Sequence, residues 1–338
     1  MPQKVSDADF EAACIKHVSA TAIAKALGLS ERRVFKRRQD LERREGIQLP
    51  RGENSHNPTG SNGWAPTGGA YAFRTEKTIR DGIAIAFGDM HCRPVQGRIG
   101  DTPAMAALLK VAERLAPDLL INMGDTLDGA AISRHPPLGW EVKPTVAEEI
   151  GGAQHDLSRI VKAAPKAHRH WIVGNHDERY DRHLAVRVPE FRNVTGLRLA
   201  DNFPDWPLSW SLEINATLFV HRWHNGVHAR WNNLLKAGGC HTVTADTHRS
   251  GTTHYTGQRG ATWHAVEVGC MAEPSGPQFS YTRGLRPNWQ MSFVVLTWRD
   301  GEMCPPERCL VDDAGRAWFR GEVVAEKPRV RVRAGAAA

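Results

Sequence analysis

Leu119-Leu-Ile-Asn-Met-Gly-Asp-Thr-Leu-Asp128 is a short apolar run, a glycine, then carboxylates at close spacing, the pattern of a buried strand that ends in a polar loop. Two other stretches repeat the arrangement, Ile83-Ala-Ile-Ala-Phe-Gly-Asp-Met-His91 and Trp171-Ile-Val-Gly-Asn-His-Asp177. A brief apolar run closed by a turn residue reads as a buried strand. Glycine lets the backbone leave the strand end sharply, and Asp, His and Asn supply oxygen and nitrogen donors at the turn. One strand ending in Asp is ordinary and is explained by a capped helix or turn. Three in order point to a site, because α/β sheets collect functional side chains in the crevice at the carboxyl ends of their strands.

Working outward, residues 82–87 read as strand, 103–116 as helix, 119–123 as strand, 145–164 as helix and 171–173 as strand, an α/β rhythm. Residues 217–220, 262–268 and 292–298 read as strands without long helices between them, so the second half is richer in β structure. Two further segments follow, Leu218-Phe-Val-His221 at another strand end and Ala245-Asp-Thr-His-Arg249. His221 is preferred over His224 and His228 because it directly ends its strand, and His241 reads as a loop histidine.

With these five segments in hand, the sequence resembles the calcineurin-like metallophosphoesterase superfamily. The signature of that superfamily is Asp-x-His, Gly-Asp-x-x-Asp, Gly-Asn-His-Asp/Glu, a lone His, and Gly-His-x-His, in that order. The likeness runs from Gly82 to about Ser250, and all of the motifs but the last match well. It implies two mixed sheets packed face to face and flanked by helices. It also implies two divalent cations, one held by Asp89, His91, Asp125 and His248, the other by Asp125, Asn175, His221 and Asp246. Two cations about 3.5–4 Å apart bind phosphoryl oxygens and activate water as the nucleophile. By the same likeness His176 gives a hydrogen bond or a proton to the leaving oxygen, and Asp128 orients His176.

The last motif departs from the pattern, since Ala245-Asp246 stands where Gly-His is expected. If Asp246 ligates, three carboxylates (Asp89, Asp125, Asp246) favour a hard ion: Mn²⁺ first, then Mg²⁺, with Fe²⁺, Zn²⁺ and Ni²⁺ as alternatives. If it does not, the second site is weak or empty. Arg93, Arg179, Arg222 and Arg249 follow the motifs and are expected to grip phosphate oxygens, the plain alternative being surface charge. Trp223 and Trp231 are candidates for stacking on a base, against ordinary packing.

Residues 6–45 read as three helices with a helix-turn-helix pattern over 21–35. Ile23, Leu27 and Val34 face a small core, Ala24 lets helices approach, Gly28 permits the turn and Ser30 caps the next helix. That helix is strongly basic, and Arg32, Arg33, Lys36, Arg37 and Arg38 are the expected DNA contacts. Arg37 stands where such motifs place an apolar residue, so Leu41 is expected to close the core instead. The alternative is a charged, solvated helix in a tethering module. The expected organisation is a helical module at 1–50, a Gly/Asn/Ser/Thr/Pro-rich flexible linker at 51–75, the hydrolase at 76–325 and a basic tail at 326–338.

The chain has 338 residues, 41% of them hydrophobic, enough for one large core and a small extra module. A formal charge of +7 and a pI near 9.2 suit a polyanionic partner. No apolar run approaches the roughly 20 residues a membrane span needs, and the first residues lack a secretory pattern, so a cytoplasmic protein with no membrane association is expected. The six cysteines match no zinc-binding spacing. The function expected from sequence is metal-dependent hydrolysis of phosphodiesters, with nucleic acid, DNA above all, as partner and substrate. A phosphomonoesterase or phosphoprotein phosphatase is the alternative enzyme. A DNA-binding protein with a degenerate metal site is the alternative of another class.

Overall fold

A continuous apolar run places β2 (Gly82–Phe87) inside the larger sheet: Ile85 and Phe87 point to one face, Ala84 and Ala86 to the other, and all four are fully buried. A strand buried on both faces needs no polar side, which explains its continuous apolar run. The computed structural model describes residues 5–17, 20–45, 49, 71–96, 101–135, 138–258, 260–285 and 287–327. The chain divides into two units, residues 1–67 and 68–338.

In the larger unit the other strands are β1 (Thr75–Lys77), β3 (Leu119–Asn122), β4 (His168–Ile172), β5 (Leu208–Ser209), β6 (Ser211–Ile214), β7 (Thr217–Val220) and β8 (His241–Thr244). They continue with β9 (Ser250–Thr256), β10 (Thr262–Val268), β11 (Ser292–Arg299), β12 (Glu302–Met303), β13 (Glu307–Val311), β14 (Arg316–Phe319) and β15 (Glu322–Glu326). Among the described residues they form two mixed sheets. One runs β15-β14-β13-β11-β2-β3-β4-β5 with β12 beside β11, the other β1-β6-β7-β8-β10-β9. Strands β2, β3, β4 and β5 are parallel neighbours, and so are β7 and β8. Their carboxyl ends therefore fall on common sheet ends, which is what gathers the motif loops.

Two layers of core fill the unit. Ala84, Ala86, Leu119, Ile121 and Ile172 of one sheet pack with Leu212, Phe219, Val243 and Val266 of the other. The opposite face of the larger sheet, with Ile85, Phe87, Leu120 and Trp171, is covered by Leu108, Val111, Leu157 and Ile160. These last four lie on two long helices whose starts are written locally. The first, Pro103–Leu115, begins with Thr102 accepting from the Met105 N–H, followed by proline in the first turn. The second, Val146–Ala163, opens with a reciprocal capping box between Thr145 and Glu148. Among the described residues no helix is long and apolar enough to cross a membrane.

Several expectations shift. Strand β4 starts at His168 rather than Trp171, since its polar start pairs with β3 and His170 meets the Ser209 hydroxyl at 2.7 Å. His241 lies not in a loop but in β8, where its Nδ1 accepts from the His264 backbone N–H at 3.0 Å. The larger unit does not wait until residue 76: Tyr71 is buried in its core and bonds to Asp181. At the other end β15 runs to Glu326, and Lys327 pairs with Glu273 at 3.2 Å. Residues 51–70 of the expected linker and 328–338 of the expected tail lie outside the described residues.

The smaller unit contains α1 (Asp7–Lys16), α2 (Ala20–Leu27) and α3 (Glu31–Glu45), matching the three expected helices. In the order continued by the larger unit, Pro103–Leu115 is α4, Val146–Ala163 α5, Glu178–Arg187 α6, Leu199–Asn202 α7 and Ala229–Ala237 α8. Phe10, Cys14, Ile23, Ala24, Val34 and Leu41 make the small core, so Leu41 does close it. Gly28 takes φ +62° at the turn, and the Leu29 N–H donates to the Ala24 carbonyl at 2.9 Å. The expected basic face is narrower than the sequence suggests. Arg37 donates to the Val5 carbonyl, pairs with Asp7 at 2.8 Å and lies over the Phe10 ring, while Arg38 is buried. Arg33 and Lys36 are exposed; the side chain of Arg32 lies outside the described residues.

Candidate metal centre

The ligand loops leave their strands through the ligand residues themselves. Asp89, His91, Asp125, Asp246 and His248 have φ of 49°, 41°, 50°, 66° and 56°, half of the ten non-glycine residues with positive φ among those described. Such a conformation costs about 1–3 kcal/mol per residue, and its concentration in one place marks a site. The neighbouring glycines serve close approach. A methyl on Gly174 would lie 2.2 Å from Asp125 Oδ1, and one on Gly124 would lie 2.6 Å from the Ile172 carbonyl oxygen.

Backbone and side-chain bonds then lock the loops together. The N–H groups of Asp89, His91 and Cys92 donate to the carbonyls of Gly124, Asp125 and Thr126 at 2.8–3.0 Å. Asp177 is fully buried and accepts from the N–H groups of Asp125, Thr126, Leu127 and Gly174 and from the Trp171 indole. This one carboxylate holds the loops after β3 and β4 in register. Its place in the motif was legible, but its role was not.

Most of the expected ligands converge. Asp89, His91 and His248 bring one donor atom each within 4.8 Å of one another, and so do Asp89, Asp125 and His221. Asp89 Oδ1, Asn175 Oδ1 and His221 Nε2 are buried and make no hydrogen bond. An unsatisfied buried polar atom costs about 1–3 kcal/mol, so such atoms on Asp89 and His221, both members of the donor cluster, fit a cation. The histidine tautomers agree. His221 Nδ1 donates to the Met123 carbonyl at 2.7 Å and His91 Nδ1 donates to Asp128 Oδ1 at 3.0 Å, leaving both Nε2 lone pairs for an ion. His91 Nε2 stands 3.2 Å from His248 Nε2, an approach natural for two nitrogens sharing one ion.

Asp246 sits at the edge of this cluster. Its Oδ1 is 3.9 Å from His221 Nε2, its Oδ2 is 3.5 Å from Arg222 Nε, and its N–H donates to Asp89 Oδ2 at 3.2 Å. His224 and His228 are exposed and do not compete with His221.

A calcineurin-like phosphoesterase family model matches residues 84–275. The chain belongs to that family. The calcineurin-like phosphoesterases are metal-dependent hydrolases of phosphoester bonds, and the donor cluster comprises Asp and His groups that could hold a divalent metal. No curated protein matches the chain. Among solved structures, Entamoeba histolytica Vps29 complexed with zinc is 13% identical with a TM-score of 0.37, covering 68% of this chain and 93% of its own. A Sphaerobacter thermophilus metallophosphoesterase is 12% identical with a TM-score of 0.38, over 71% of this chain and 90% of that one. The Pseudomonas putida nuclease MPE is 13% identical with a TM-score of 0.26, over 65% and 86%.

Around the calcineurin-like ligand set the polar neighbours have distinct placements. Asp128 Oδ1 faces both His91 Nδ1 and His176 Nδ1, at 3.0 and 3.3 Å, so it orients two histidines rather than one. Burial pushes its carboxyl up, but the bonds to His176 and His91 outweigh this and hold it well below the usual range. His176 Nδ1 also donates to the Asp128 carbonyl at 2.8 Å, and Arg179 Nη2 donates to His176 Nε2 at 3.0 Å. Burial draws His176 down, and the carboxylates of Asp125 and Asp128 more than compensate. Burial holds Asp246 above the ordinary carboxyl range despite His221 and Arg222.

Of the four arginines, Arg179 and Arg222 border the centre, Arg249 donates to the Gly226 carbonyl at 2.8 Å, and Arg93 is exposed. Trp223 carries Lys236 over its ring at 4.8 Å, and Trp231 is exposed on α8.

Residues that sequence reading missed support the loops from behind. Buried Glu149 accepts from the N–H groups of Gly129 and Ala130 at 2.6 and 3.0 Å, and burial pushes its pKa up to about 7. Buried Glu267 accepts from the Thr247 hydroxyl and from Arg230, both at 2.5 Å, holding the turn between Asp246 and His248. A carboxylate on the apolar face of α5 and another inside the apolar run of β10 were the available signals. Phe279, Tyr281 and Trp289 form an aromatic edge beside His91 and His248 that no motif announced.

Proposed function

We propose that this protein hydrolyses phosphodiester bonds in nucleic acid at a centre for two divalent cations, Mn²⁺ foremost. The observation that carries the reading is the pair of adjoining donor groups, Asp89/His91/His248 and Asp89/Asp125/His221, with hydrogen-bond-free ligand atoms facing inward. When bound, a cation pair neutralises phosphoryl charge and makes water a nucleophile near neutral pH. Asn175 and Asp246 complete the second position, and the three carboxylates suit Mn²⁺ or Mg²⁺. Arg179 and Arg222 orient the phosphoryl oxygens. His176 is anchored at Nδ1 by the Asp128 carbonyl; in its imidazolium form, with Arg179 turned from Nε2 to the phosphoryl oxygens, it gives the Nε2 proton to the leaving oxygen as the P–O bond breaks. Asp128 keeps both His91 and His176 in register.

Nucleic acid as substrate is supported by the charge of +7 and by a helical unit whose third helix exposes Arg33 and Lys36. That unit is the DNA-docking module in this reading, and its contacts centre on those two residues rather than on Arg37 or Arg38.

The deciding experiment compares Mn²⁺-dependent hydrolysis of bis-(p-nitrophenyl) phosphate, p-nitrophenyl phosphate and single- and double-stranded DNA. Wild type is expected to favour the diesters, and His176→Ala to lose about 100-fold or more in kcat. Asp125→Asn is expected to lose activity and bound metal together. Faster monoester turnover would move the reading to a phosphomonoesterase. A wild type inert with Mn²⁺, Mg²⁺, Fe²⁺, Zn²⁺ and Ni²⁺ yet still binding DNA would make it a binding protein with a degenerate centre.

A further inference from the structure

The connection between β10 and β11 does more than join strands. Its 3-10 turn at Pro277–Thr282 sets Phe279, which is buried, 5.1 Å from the His91 ring and 5.3 Å from the His248 ring. Trp289 stands edge-on to His248 at 4.5 Å and to Phe279 at 4.9 Å. Tyr281 completes the group, 6.3 Å from both Phe279 and Trp289, and is 58% exposed. The Ser280 hydroxyl donates to Glu141 at 2.9 Å, tying this turn to the segment that leads from Asp128 to α5.

Rings held edge to face have little freedom to lose, so a planar group binds against them at small entropic cost. Trp289 stands against His248 and Tyr281 against Trp289, so a base resting on these two rings lies beside the donor cluster. Resting on the phosphodiesterase reading above, we propose that Tyr281 and Trp289 form a stacking wall for the base of the nucleotide adjoining the scissile phosphate. Stacking is tolerant of base identity, so the wall selects nucleotides over simple alkyl diesters without reading sequence.

The test uses two diesters with one leaving group, thymidine 5′-(p-nitrophenyl) phosphate and methyl p-nitrophenyl phosphate, with the full-length Mn²⁺-loaded protein. Wild type is expected to prefer the thymidine ester by about tenfold or more in kcat/KM, the range set by stacking on one ring. Tyr281→Ala, at an exposed position, is expected to remove most of that preference through KM, while Tyr281→Phe retains it. Trp289→Leu is the second variant, checked for bound Mn²⁺ because the ring touches His248. An unchanged preference in Tyr281→Ala and in metal-loaded Trp289→Leu, with both esters hydrolysed, would overturn the wall alone. Equal losses on both esters would also overturn it, since the wall would then grip the nitrophenyl ring. Failure to hydrolyse either ester would overturn the phosphodiesterase reading itself, and the wall with it.

Discussion

At Gly174 the absence of a side chain is a packing requirement. A methyl there would meet Asp125 at 2.2 Å from Oδ1 and 2.3 Å from the backbone nitrogen, neither of which can retreat without breaking the bonds to Asp177 and His176. Gly174→Ala is therefore expected to destabilise the protein by about 1–3 kcal/mol or more and to weaken metal binding at the same time. Thermal unfolding and a Mn²⁺ titration check this, and unchanged values in both would refute the close-approach account. The residue types at the site were legible because motif and chemistry coincide: Asp, His and Asn after glycine at three strand ends. The reason for the glycines was legible only in part: Gly124 takes φ +96°, but Gly88 and Gly174 are required by close approach, and a clash between loops far apart in sequence leaves no local trace.

Helix α5 shows both sides of this at the next scale. Its capping box and apolar spacing make it readable from sequence, yet Glu149 on its inner face carries a tertiary role that only appears once Gly129 and Ala130 arrive beside it. The ordinary pKa of 4.5 is raised to about 7 by burial. A carboxyl raised in the folded state contributes stability below about pH 4.5 and loses it as pH rises through about 7. Wild type should thus lose stability relative to Glu149→Gln between pH 5 and pH 8, measured as the difference in Tm at the two pH values. A difference that stays constant, or one that moves the other way, would show that Glu149 is not buried as an acid. Strands β6, β8 and β13–β15 were not read in advance because they are short or carry charged residues on one face. Pairing to neighbours, not propensity, makes them strands.

Across the molecule, the motif loops come from both sheets: those after β2, β3 and β4 from one, those after β7 and β8 from the other. The inter-sheet core of Ala84, Ile121, Ile172, Phe219 and Val243 fixes the separation between them. The N-terminal unit has its own core and a narrower cationic face than its composition suggests. Reversing that face with Arg33→Glu and Lys36→Glu is expected to weaken DNA binding and to flatten the slope of log K against log salt by about 2. Hydrolysis of bis-(p-nitrophenyl) phosphate serves as the internal control for the centre. An unaltered salt slope would remove the docking role from α3.

The order of the motifs, the family and the residues of the converging donor cluster follow from the sequence by itself, because metal-ligand chemistry demands particular atoms at strand ends and admits few substitutes. Tertiary structure alone decided which groups support them. Asp177, Glu149 and Glu267 each bond to backbone or side chains distant in sequence, and the aromatic wall is assembled by a loop with no motif of its own. Burial and convergence are properties of the folded chain: they buried Arg38, tied Arg37 to Val5 and Asp7, and gave Asp128 two histidines to hold.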